Sequence, residues 1–344
     1  MFKIGIIGAT GYVGAELLRL LLNHPKISVE AISSSSFKGK EISSIYKNFL
    51  NKTDLICEDI DTVIEKTDII FTALPHGLSE EIAEKAIKKN KMIIDLGADF
   101  RLDNEDQYEE WYGKKFNNKF LHDLSVYGLP EMNRSKIKES KIIGNPGCYP
   151  TSIELALMPL LSNHLIKTKN IICDSISGVT GAGRGLALKS HYPESNENFA
   201  PYAVGSHRHT PEIEQVLSYI ADETVEVTFT PHLLPINRGI LSTIYCETKD
   251  NLTLEEIHKL YEKKYENEPF VHILPLGETA EIKQVKCTNN CHISLHQNYR
   301  KNQLIIVSVI DNMIKGAAGQ AIQNLNIIIG EPENTGLNLI SPYF

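Results

Sequence analysis

Apolar runs alternate with helical patterns through the first half of the chain. Buried strands are predicted at 2–8, 27–33, 68–74, 92–96 and 141–144. Between the first two, leucines recur at helical spacing over 13–23 before Pro25 ends the helix. After the third, Ser79 is placed to cap another helix. This alternation predicts an α/β fold, a doubly wound parallel sheet that binds ligands at the carboxyl ends of its strands.

The pattern changes after about residue 150, where a helix is predicted over 150–163. Strands are predicted at 171–177, 224–230, 240–248, 283–287, 291–297 and 303–311. Their short turns favour an antiparallel or mixed sheet. Thr210 is predicted to cap a helix with Pro211 at its first position, and 317–329 is predicted to form the last helix. The second half is therefore predicted to be an α+β domain.

These patterns divide the chain into two predicted domains. A nucleotide-binding domain is placed at 1–148 plus 312–344, and an α+β domain for catalysis and oligomerisation at 149–311. A length of 344 residues is more than one ordinary core usually contains, so two domains fit the length.

Composition and charge exclude several classes of function. The chain has 43 Asp and Glu against 35 Lys and Arg, a net charge of −8 without a basic run, so no nucleic-acid partner is predicted. It has no apolar run of bilayer length and no leader signal, so no membrane partner and a cytoplasmic location are predicted. Its six scattered cysteines predict reduced thiols and no metal site, with Cys287 and Cys291 as strand residues flanking a turn.

A glycine-rich loop follows the first predicted strand and precedes the first predicted helix. It reads Gly8-Ala9-Thr10-Gly11-Tyr12-Val13-Gly14. Glycines permit a tight turn and close backbone approach, and the helix N-terminus supplies N–H groups and positive dipole to a pyrophosphate. This position predicts a dinucleotide site.

The end of the second predicted strand indicates which dinucleotide is bound. An NAD-selective site usually places Asp or Glu there. This chain instead offers hydroxyls and cations, although Glu30 lies nearby: Ser33, Ser34, Ser35, Ser36, Lys38 and Lys40. Hydroxyl and ammonium groups suit a 2′-phosphate, so NADP is the predicted cofactor, with Ser33, Ser34, Ser36 and Lys40 as contacts.

A cysteine with a distinctive turn lies in Asn145-Pro146-Gly147-Cys148-Tyr149-Pro150-Thr151. Cys148 is predicted just before a helix whose first turn holds Pro150, where the helix dipole lowers the pKa of a thiol and favours a nucleophilic thiolate. Backbone N–H groups of the same turn are suited to an oxyanion. The other five cysteines are predicted to be structural, which is the usual role of a buried cysteine.

A thiolate nucleophile needs a partner that transfers protons. His207, Arg208 and His209 place two imidazoles and a guanidinium on one loop before the Thr210 helix. His209 is predicted to be the acid/base and His207 to hold substrate, but the order of the two is open. Asn145 is a predicted helper in the nucleophile's turn.

Several blocks of the sequence carry a family resemblance. They are GATGYVG (8–14), ALPHG (73–77), DLGADFRL (95–102), YGLPE (127–131), NPGCYPT (145–151), SGVTGAGR (177–184), HRHTPEI (207–213), PHLLPINRGIL (231–241) and KGAAGQAIQNLN (315–326). Together they resemble the N-acetyl-γ-glutamyl-phosphate reductase family of arginine biosynthesis, a relative of the aspartate-semialdehyde dehydrogenases. The resemblance covers nearly the whole chain.

The resemblance implies an NADPH-dependent reductase that converts an acyl phosphate into an aldehyde and releases phosphate. It also implies a Rossmann domain, an α+β domain with subunit contacts, and a homodimer or homotetramer. In the matching blocks it implies cofactor contacts from Leu74, Pro75, His76 and Gly181. Family members often have Ser-Arg-Ser after the second strand, whereas Ser35 takes the place of that Arg here.

An acyl phosphate with a carboxylate suits bidentate guanidinium groups, which Lys does not replace. Only seven residues of this chain are Arg. Four of the seven lie inside the blocks above and are the predicted substrate contacts: Arg101, Arg184, Arg208 and Arg238. Arg19, Arg134 and Arg300 are predicted to be solvated charges.

Two other functions remain open from the sequence. A reductase of a related acyl phosphate, aminoadipyl or aspartyl, would use the same residues on a substrate of different length. A non-catalytic, dinucleotide-sensing regulator would use the nucleotide-binding domain alone and would tolerate loss of Cys148.

Overall fold

The computed structural model describes residues 1–249, 252–300 and 303–343. It divides into two compact units. The first comprises 1–146 and 317–338, and the second comprises 147–316 and 339–344. The chain thus passes from the first unit to the second between Pro146 and Gly147, just before Cys148. It returns to the first unit between Gly316 and Ala317.

Strands and helices alternate along the first unit. In chain order they are β1 (Phe2–Ile7), α1 (Tyr12–Leu21), β2 (Ile27–Ser33), α2 (Ile42–Ile45), β3 (Cys57–Glu58), α3 (Ile60–Lys66), β4 (Ile69–Thr72), α4 (Ser79–Lys88), β5 (Met92–Asp95), α5 (Glu105–Tyr112), α6 (Lys119–Asp123), β6 (Ser125–Tyr127), α7 (Pro130–Glu139) and β7 (Ile142–Gly144). The seven strands form one parallel sheet in the order β3-β2-β1-β4-β5-β7-β6. The predicted doubly wound parallel sheet is confirmed.

The core of the first unit explains why its strands are continuous apolar runs. The last four residues of β1 and all four of β4 are buried, because a parallel sheet is covered on both faces. Helices α3 and α4 contribute Val63, Ile64, Ile82 and Ala83 to a cluster with residues of β4 and β5. This sheet places the carboxyl ends of β1, β2 and β4 next to one another.

The second unit contains a mixed sheet and the helices packed on it. Its elements are α8 (Cys148–Leu161), β8 (Ile171–Gly178), α9 (Tyr192–Ser195), β9 (Ala200–Pro201), α10 (Thr210–Ala221), β10 (Val227–Leu234), β11 (Ile240–Cys246), α11 (Leu254–Tyr265), β12 (Val271–Ile273), α12 (Ile282–Val285), β13 (Cys291–Gln297) and β14 (Leu304–Ile310). The strand order is β12-β13-β14-β11-β8-β10-β9. The pairs β8–β10 and β12–β13 are parallel and the other pairs are antiparallel. The predicted mixed sheet of an α+β unit is confirmed.

Helix α13 (Gly319–Ile329) follows the second unit along the chain and belongs to the first. Its amides bind the loop before α7, since the side chains of Gln320 and Asn324 both donate to the carbonyl of Gly128, at 3.1 and 2.8 Å. A π-helical turn, Ile314–Ala318, precedes α13.

Four local predictions were wrong. The predicted strand at 283–287 contains the helix α12, and Cys287 lies in a turn with φ +63°, so of the pair Cys287 and Cys291 the second alone lies in a strand. Ser79 and Thr210 are the first residues of α4 and α10 and not their caps. Helix α12 has only four residues, Ile-Lys-Gln-Val, so its sequence shows no helical period that a pattern could detect.

Candidate active site

Cys148 is the first residue of α8 and not the residue before the helix, because α8 begins at 148 instead of the predicted 150, and Gly147 occupies the cap position. The thiol is half-buried, whereas four of the other five cysteines are buried. Pro150 lies in the first turn, where its missing N–H removes one of the unsatisfied donors of a helix start. The position retains the helix-dipole environment that favours a thiolate.

Helix α8 is mostly apolar, and all of its residues after Cys148 are buried. A helix of this kind is stabilised by contacts on all sides. Below it, the hydroxyl of Ser152 lies 3.1 Å from the hydroxyls of Ser242 and Ser308, on the central strands β11 and β14. Small side chains there bring the helix close to the sheet, so the start of α8 has little freedom to shift.

The glycine of the π-helical turn packs against the cysteine. A Cβ added at Gly316 would lie 2.7 Å from the Cβ of Cys148 and 3.1 Å from its Cα. Real Cβ atoms do not approach so closely. The backbone of Gly316 therefore forms a wall behind Cys148, and only glycine can occupy this position without a clash.

Both predicted histidines lie against the residue that follows Cys148. The ring of Tyr149 is 5.7 Å from that of His207 and 6.0 Å from that of His209, and the two imidazoles are 4.9 Å apart. Tyr202 and Phe229 complete the cluster, 5.5 and 5.3 Å from the ring of His207. The structure therefore brings the histidine loop to the start of α8.

The two histidines differ in their chemistry. Nδ1 of His207 accepts the backbone N–H of His209 at 3.1 Å, which requires this nitrogen to be unprotonated. Burial, with Arg208 beside it, lowers the pKa of His207 to about 4. His207 is therefore neutral at physiological pH and is held as an acceptor, which leaves His209 as the better candidate for proton transfer.

The aromatic cluster contains two hydroxyls that stay protonated. The hydroxyl of Tyr202 donates to that of Tyr149 at 3.2 Å, and Tyr149 in turn donates to the carbonyl of His232. Burial raises the pKa of Tyr202 to about 12 and that of Tyr149 further still. Sequence reasoning missed this cluster, because Tyr202 and Phe229 belong to no motif and lie far from Cys148 along the chain.

The four predicted arginines fall into different environments. Arg184 and Arg208 are exposed in the second unit. Arg238 is 3.6 Å from the buried carboxylate of Asp311, which also accepts the N–H groups of Met313 and Ile314 at the start of the turn containing Gly316. Asp311 thus links Arg238 to the wall behind Cys148.

Arg101 lies in the first unit and is only 8% exposed. Its guanidinium donates to the carbonyls of Asn145 and Leu96, both at 2.8 Å. Asn145 is also fully buried, and its side-chain amide contacts Ala317 and Asn324. These contacts fit a framework that holds the end of β7, rather than groups that face a substrate.

Two arginines predicted to be solvated also form ion pairs. Arg19 binds the buried carboxylate of Glu16 through two nitrogens, and Arg134 binds Glu333. Both guanidinium groups keep 41% of their side-chain surface exposed. The predicted solvent exposure of these two arginines is confirmed, and each charge also has a specific partner.

The glycine-rich loop has the geometry of a dinucleotide site. The amides of Gly8 and Ala9 both donate to the carbonyl of Ser33, at the end of β2. A Cβ at Gly14 would lie 2.3 Å from the carbonyl oxygen of Gly8, so a larger residue would push α1 away from β1. Gly11 caps α1, followed by Tyr12 and Val13 in its first turn.

The predicted phosphate-binding segment begins at the same edge of the sheet. The hydroxyls of Thr10 and Ser34 are 2.6 Å apart and buried, so the two loops are joined. Ser36 and Lys40 are exposed beyond them. Glu30 lies three residues before the end of β2 and accepts the hydroxyl of Ser28.

The loop of Leu74, Pro75 and His76 follows β4 and is anchored by acidic residues that sequence reasoning missed. Asp99 is fully buried and accepts the N–H groups of Gly77 and Ser79, the latter at 2.8 Å. The ring of His76 lies 5.3 Å from that of Tyr112. Gly181, the remaining predicted cofactor contact, belongs to the second unit and is exposed on a 3₁₀ turn.

A second carboxylate lies beside that anchor. Asp95, at the end of β5, accepts the hydroxyls of Thr72 and Ser79, both at 2.6 Å. Burial and the charge of Asp99 raise the pKa of Asp95 to about 6. The DLGADFRL block therefore consists largely of inward-facing groups that shape the carboxyl end of the sheet.

Among the described residues, no group of three or more His, Cys, Asp or Glu side chains is arranged to hold a metal ion. Within the same residues, every helix is too short or too polar to span a bilayer.

Two family models match the chain. Residues 3–140 match the semialdehyde dehydrogenase NAD binding domain, and 148–312 match the semialdehyde dehydrogenase dimerisation domain. A Clostridium beijerinckii protein named N-acetyl-gamma-glutamyl-phosphate reductase is 69% identical over 344 residues, which is 100% of both chains. The chain belongs to the N-acetyl-gamma-glutamyl-phosphate reductase family. A member from Clostridium kluyveri is 54% identical, again over 100% of both chains.

The fold of this reductase family is shared by more distant solved structures. Aspartate semialdehyde dehydrogenase II of Vibrio cholerae, complexed with ASA, has a TM-score of 0.74 at 16% identity and covers 96% of this chain and 98% of its own. Aspartate semialdehyde dehydrogenase of Candida albicans, with NADP, has a TM-score of 0.71 at 15% identity, covering 97% and 99%. The predicted family, fold class and enzyme type are confirmed, together with a nicotinamide dinucleotide cofactor.

Proposed function

We propose that the protein reduces N-acetyl-γ-glutamyl phosphate to N-acetylglutamate semialdehyde, with NADPH as the reductant and phosphate as a product. The observation that carries this proposal is the start of α8, where a half-exposed Cys148 begins a buried helix beside a loop with two histidines. The names of the full-length relatives support the substrate.

Cys148 forms the covalent intermediate. Its thiolate attacks the γ-acyl carbon, the carbon–oxygen bond to phosphate breaks, and phosphate leaves from a thioester. Hydride addition to the thioester carbon gives a thiohemiacetal, which expels the Cys148 thiolate as the aldehyde forms. The dipole of α8 favours the thiolate in both the attacking and the leaving step.

His209 manages the protons of these steps. It takes the thiol proton before attack, donates a proton to the oxygen as hydride adds to the thioester carbon, and takes that proton back when the thiohemiacetal expels the thiolate. His207 fixes the loop by accepting the backbone N–H of His209 and stays neutral because its pKa is low. Its Nε2 then carries a proton and is available to a substrate oxygen, which is the substrate-holding role assigned to His207.

Three arginines of the second unit bind the anionic ends of the substrate. Arg184, Arg208 and Arg238 supply planar guanidinium groups suited to phosphate and carboxylate. Arg101 and Asn145 take a positioning role in the first unit, because the structure engages their polar groups internally.

The glycine-rich loop binds the pyrophosphate of NADPH, which supplies the hydride when bound. Thr10, Ser33, Ser34, Ser36 and Lys40 form the edge toward the adenosine 2′-phosphate, and no acidic side chain occupies the end of β2. We expect kcat/KM for NADPH to exceed that for NADH by at least tenfold. Equal values would overturn the NADP assignment.

The second unit also joins copies of the chain into a cytoplasmic homodimer or homotetramer. Its segment 186–204 exposes large apolar side chains: Leu186 at 97%, Leu188 at 69%, Tyr192 at 76%, Phe199 at 55% and Val204 at 61%. Exposed apolar clusters of this kind mark interaction surfaces. We assign dinucleotide binding to 1–148 plus 312–344, and catalysis with oligomerisation to 149–311.

The reverse reaction tests the proposed function. Phosphate-dependent NADP reduction is measured with N-acetylglutamate semialdehyde, aspartate semialdehyde and the N-acylated aminoadipate analogue. We expect the first to react at least 100-fold more efficiently, and preference for another would replace the substrate. Cys148→Ala should abolish turnover and keep NADPH binding, whereas substantial residual turnover would exclude the covalent route.

A further inference from the structure

The starts of α8 and α10 are joined by one buried side chain. The carboxylate oxygen Oε1 of Glu212 accepts the backbone N–H of Gly147 at 2.7 Å. Glu212 is fully buried in the first turn of α10, and Gly147 is the cap residue of α8. The bond thus spans 65 positions of the chain to reach the residue before Cys148.

Burying a carboxylate has a high free-energy cost unless it is hydrogen bonded. Two features offset this cost here, because the group lies at the positive end of its own helix and accepts a backbone N–H of the α8 start. A surface glutamate at the same helix position would be stabilised by its own helix N-terminus without needing a hydrogen bond from α8. The burial of Glu212 therefore points to a role at the start of α8.

The same bond determines what the N–H of Gly147 can do. An amide that donates to a carboxylate at 2.7 Å is engaged and does not serve as an oxyanion donor. Its partner helix α10 begins directly after His209, which occupies the cap position. One hydrogen bond therefore links the element that begins with the nucleophile to the element preceded by the acid/base.

We propose that Glu212 is a positioning residue that sets the distance between Cys148 and His209 by holding Gly147. This inference rests on the roles proposed above for those two residues. A misplacement of about 1 Å in an active site can lower the rate roughly 100-fold, so loss of the bond acts on kcat rather than on ground-state binding.

Two conservative variants separate positioning from proton chemistry. Glu212→Gln keeps the length and an acceptor oxygen but has no charge and cannot take a proton. Glu212→Asp keeps the charge but withdraws the oxygen by one methylene. A positioning role predicts that Gln is tolerated and Asp is not, and a role in proton transfer predicts the opposite.

Glu214 on the same helix provides a matched control. Its Oε1 accepts the backbone N–H of Val227 at 3.0 Å, so it anchors α10 to β10 instead of to α8. Glu214→Asp removes a bond of the same kind from the same helix and should lower the melting temperature while leaving kcat within threefold of wild type.

The measurements are kcat, the KM for substrate, and hydrogen exchange of the 147–152 segment in ligand-free protein. We expect Glu212→Asp to lose about 100-fold in kcat with KM within threefold and faster exchange. Glu212→Gln should stay within tenfold in kcat with wild-type exchange. Equal losses in both variants, a worse result for Gln, or unchanged kcat in Asp would each overturn the proposal. Exchange needs no substrate, so it tests the bond even if the proposed substrate is wrong.

Discussion

At the scale of single residues, the close contact between Gly316 and Cys148 limits which residues can replace Gly316. Gly316 packs its backbone on the Cβ of Cys148, and no side chain fits between them. The block that contains Gly316 resembles the family at 315–326, but no pattern in the sequence indicates its contact with Cys148. Contacts between residues far apart along the chain depend on packing, which periodicity does not report.

Gly316→Ala should therefore displace Cys148. A Cβ at 2.7 Å forces the cysteine or the turn to move, and a shift of about 1 Å is expected to reduce kcat roughly 100-fold. Steady-state kinetics measure this loss. Gly185→Ala is the matched control, because a Cβ there meets nothing within 4 Å. A wild-type kcat in Gly316→Ala would show that the turn moves to accommodate the Cβ without displacing Cys148.

His207 makes stability depend on pH. Its pKa is about 4 in the folded protein against a usual 6.5, so the unfolded chain binds more protons between these values. The contribution of His207 to the free energy of unfolding is then fully present above pH 6.5 and is lost as the pH decreases toward 4. The expected loss at pH 5 is about 1 to 2 kcal/mol from this residue.

Urea unfolding of wild type and His207→Gln at pH 7.5 and pH 5 measures this contribution. The variant should lose less stability on acidification, by about 1 to 2 kcal/mol. His292, whose pKa burial also lowers to about 4, provides the matched comparison through His292→Gln, which lies outside the proposed active site. An unchanged pH dependence in His207→Gln would show that the imidazole is not desolvated as its position indicates.

At the scale of elements, long periodic segments were predictable and short ones were not. Helix α1 and strands β1, β2 and β4 follow from apolar periods and glycines. The two-residue strands β3 and β9 carry no period and are defined only by their partners in the sheet.

Helix α8 continues through Pro159, although a proline inside a helix usually kinks or ends it. Pro159 has no N–H to donate to the carbonyl of Leu155, one turn earlier. The hydroxyl of Tyr265, on α11, donates to that carbonyl at 2.5 Å instead. A neighbouring helix thus satisfies the acceptor and allows α8 to continue to Leu161.

Tyr265→Phe should lower the free energy of unfolding by about 1 to 3 kcal/mol, because it leaves a buried carbonyl without its donor. Chemical denaturation measures the change. Tyr299→Phe, at a side chain that is 83% exposed, should be neutral. Equal effects of both substitutions would contradict the compensating role of the hydroxyl.

At the scale of the whole molecule, the sequence predicted the family, the parallel sheet and the mixed sheet. It did not predict which polar groups turn inward. Arg101 and Asp99 belong to a motif-like block, yet both bind backbone groups within the first unit. A motif shows that a residue is needed, and only the fold shows whether it faces a ligand or the interior.

The exposed segment 186–204 predicts an assembly through the second unit. The double variant Leu186→Ser/Leu188→Ser should weaken self-association at least tenfold, since burying one such side chain contributes about 1.5 to 3 kcal/mol. Light scattering coupled to size-exclusion chromatography measures the change. Leu50→Ser, at a leucine that is 53% exposed in the first unit, is the control. Unchanged assembly in the double variant would move the interface elsewhere.

Because helix α8 is buried on all sides, it also affects the order in which parts of the protein are damaged during storage. Segments that open least are the last to be cut by proteases or to exchange their amides. The nucleophile begins such a segment, whereas Arg184 lies on an exposed loop that opens more readily. With Arg184 in its proposed role, a molecule cut in that loop should bind substrate more weakly while Cys148 is still alkylated. Alkylation alone would therefore overestimate the amount of active protein in a stored sample.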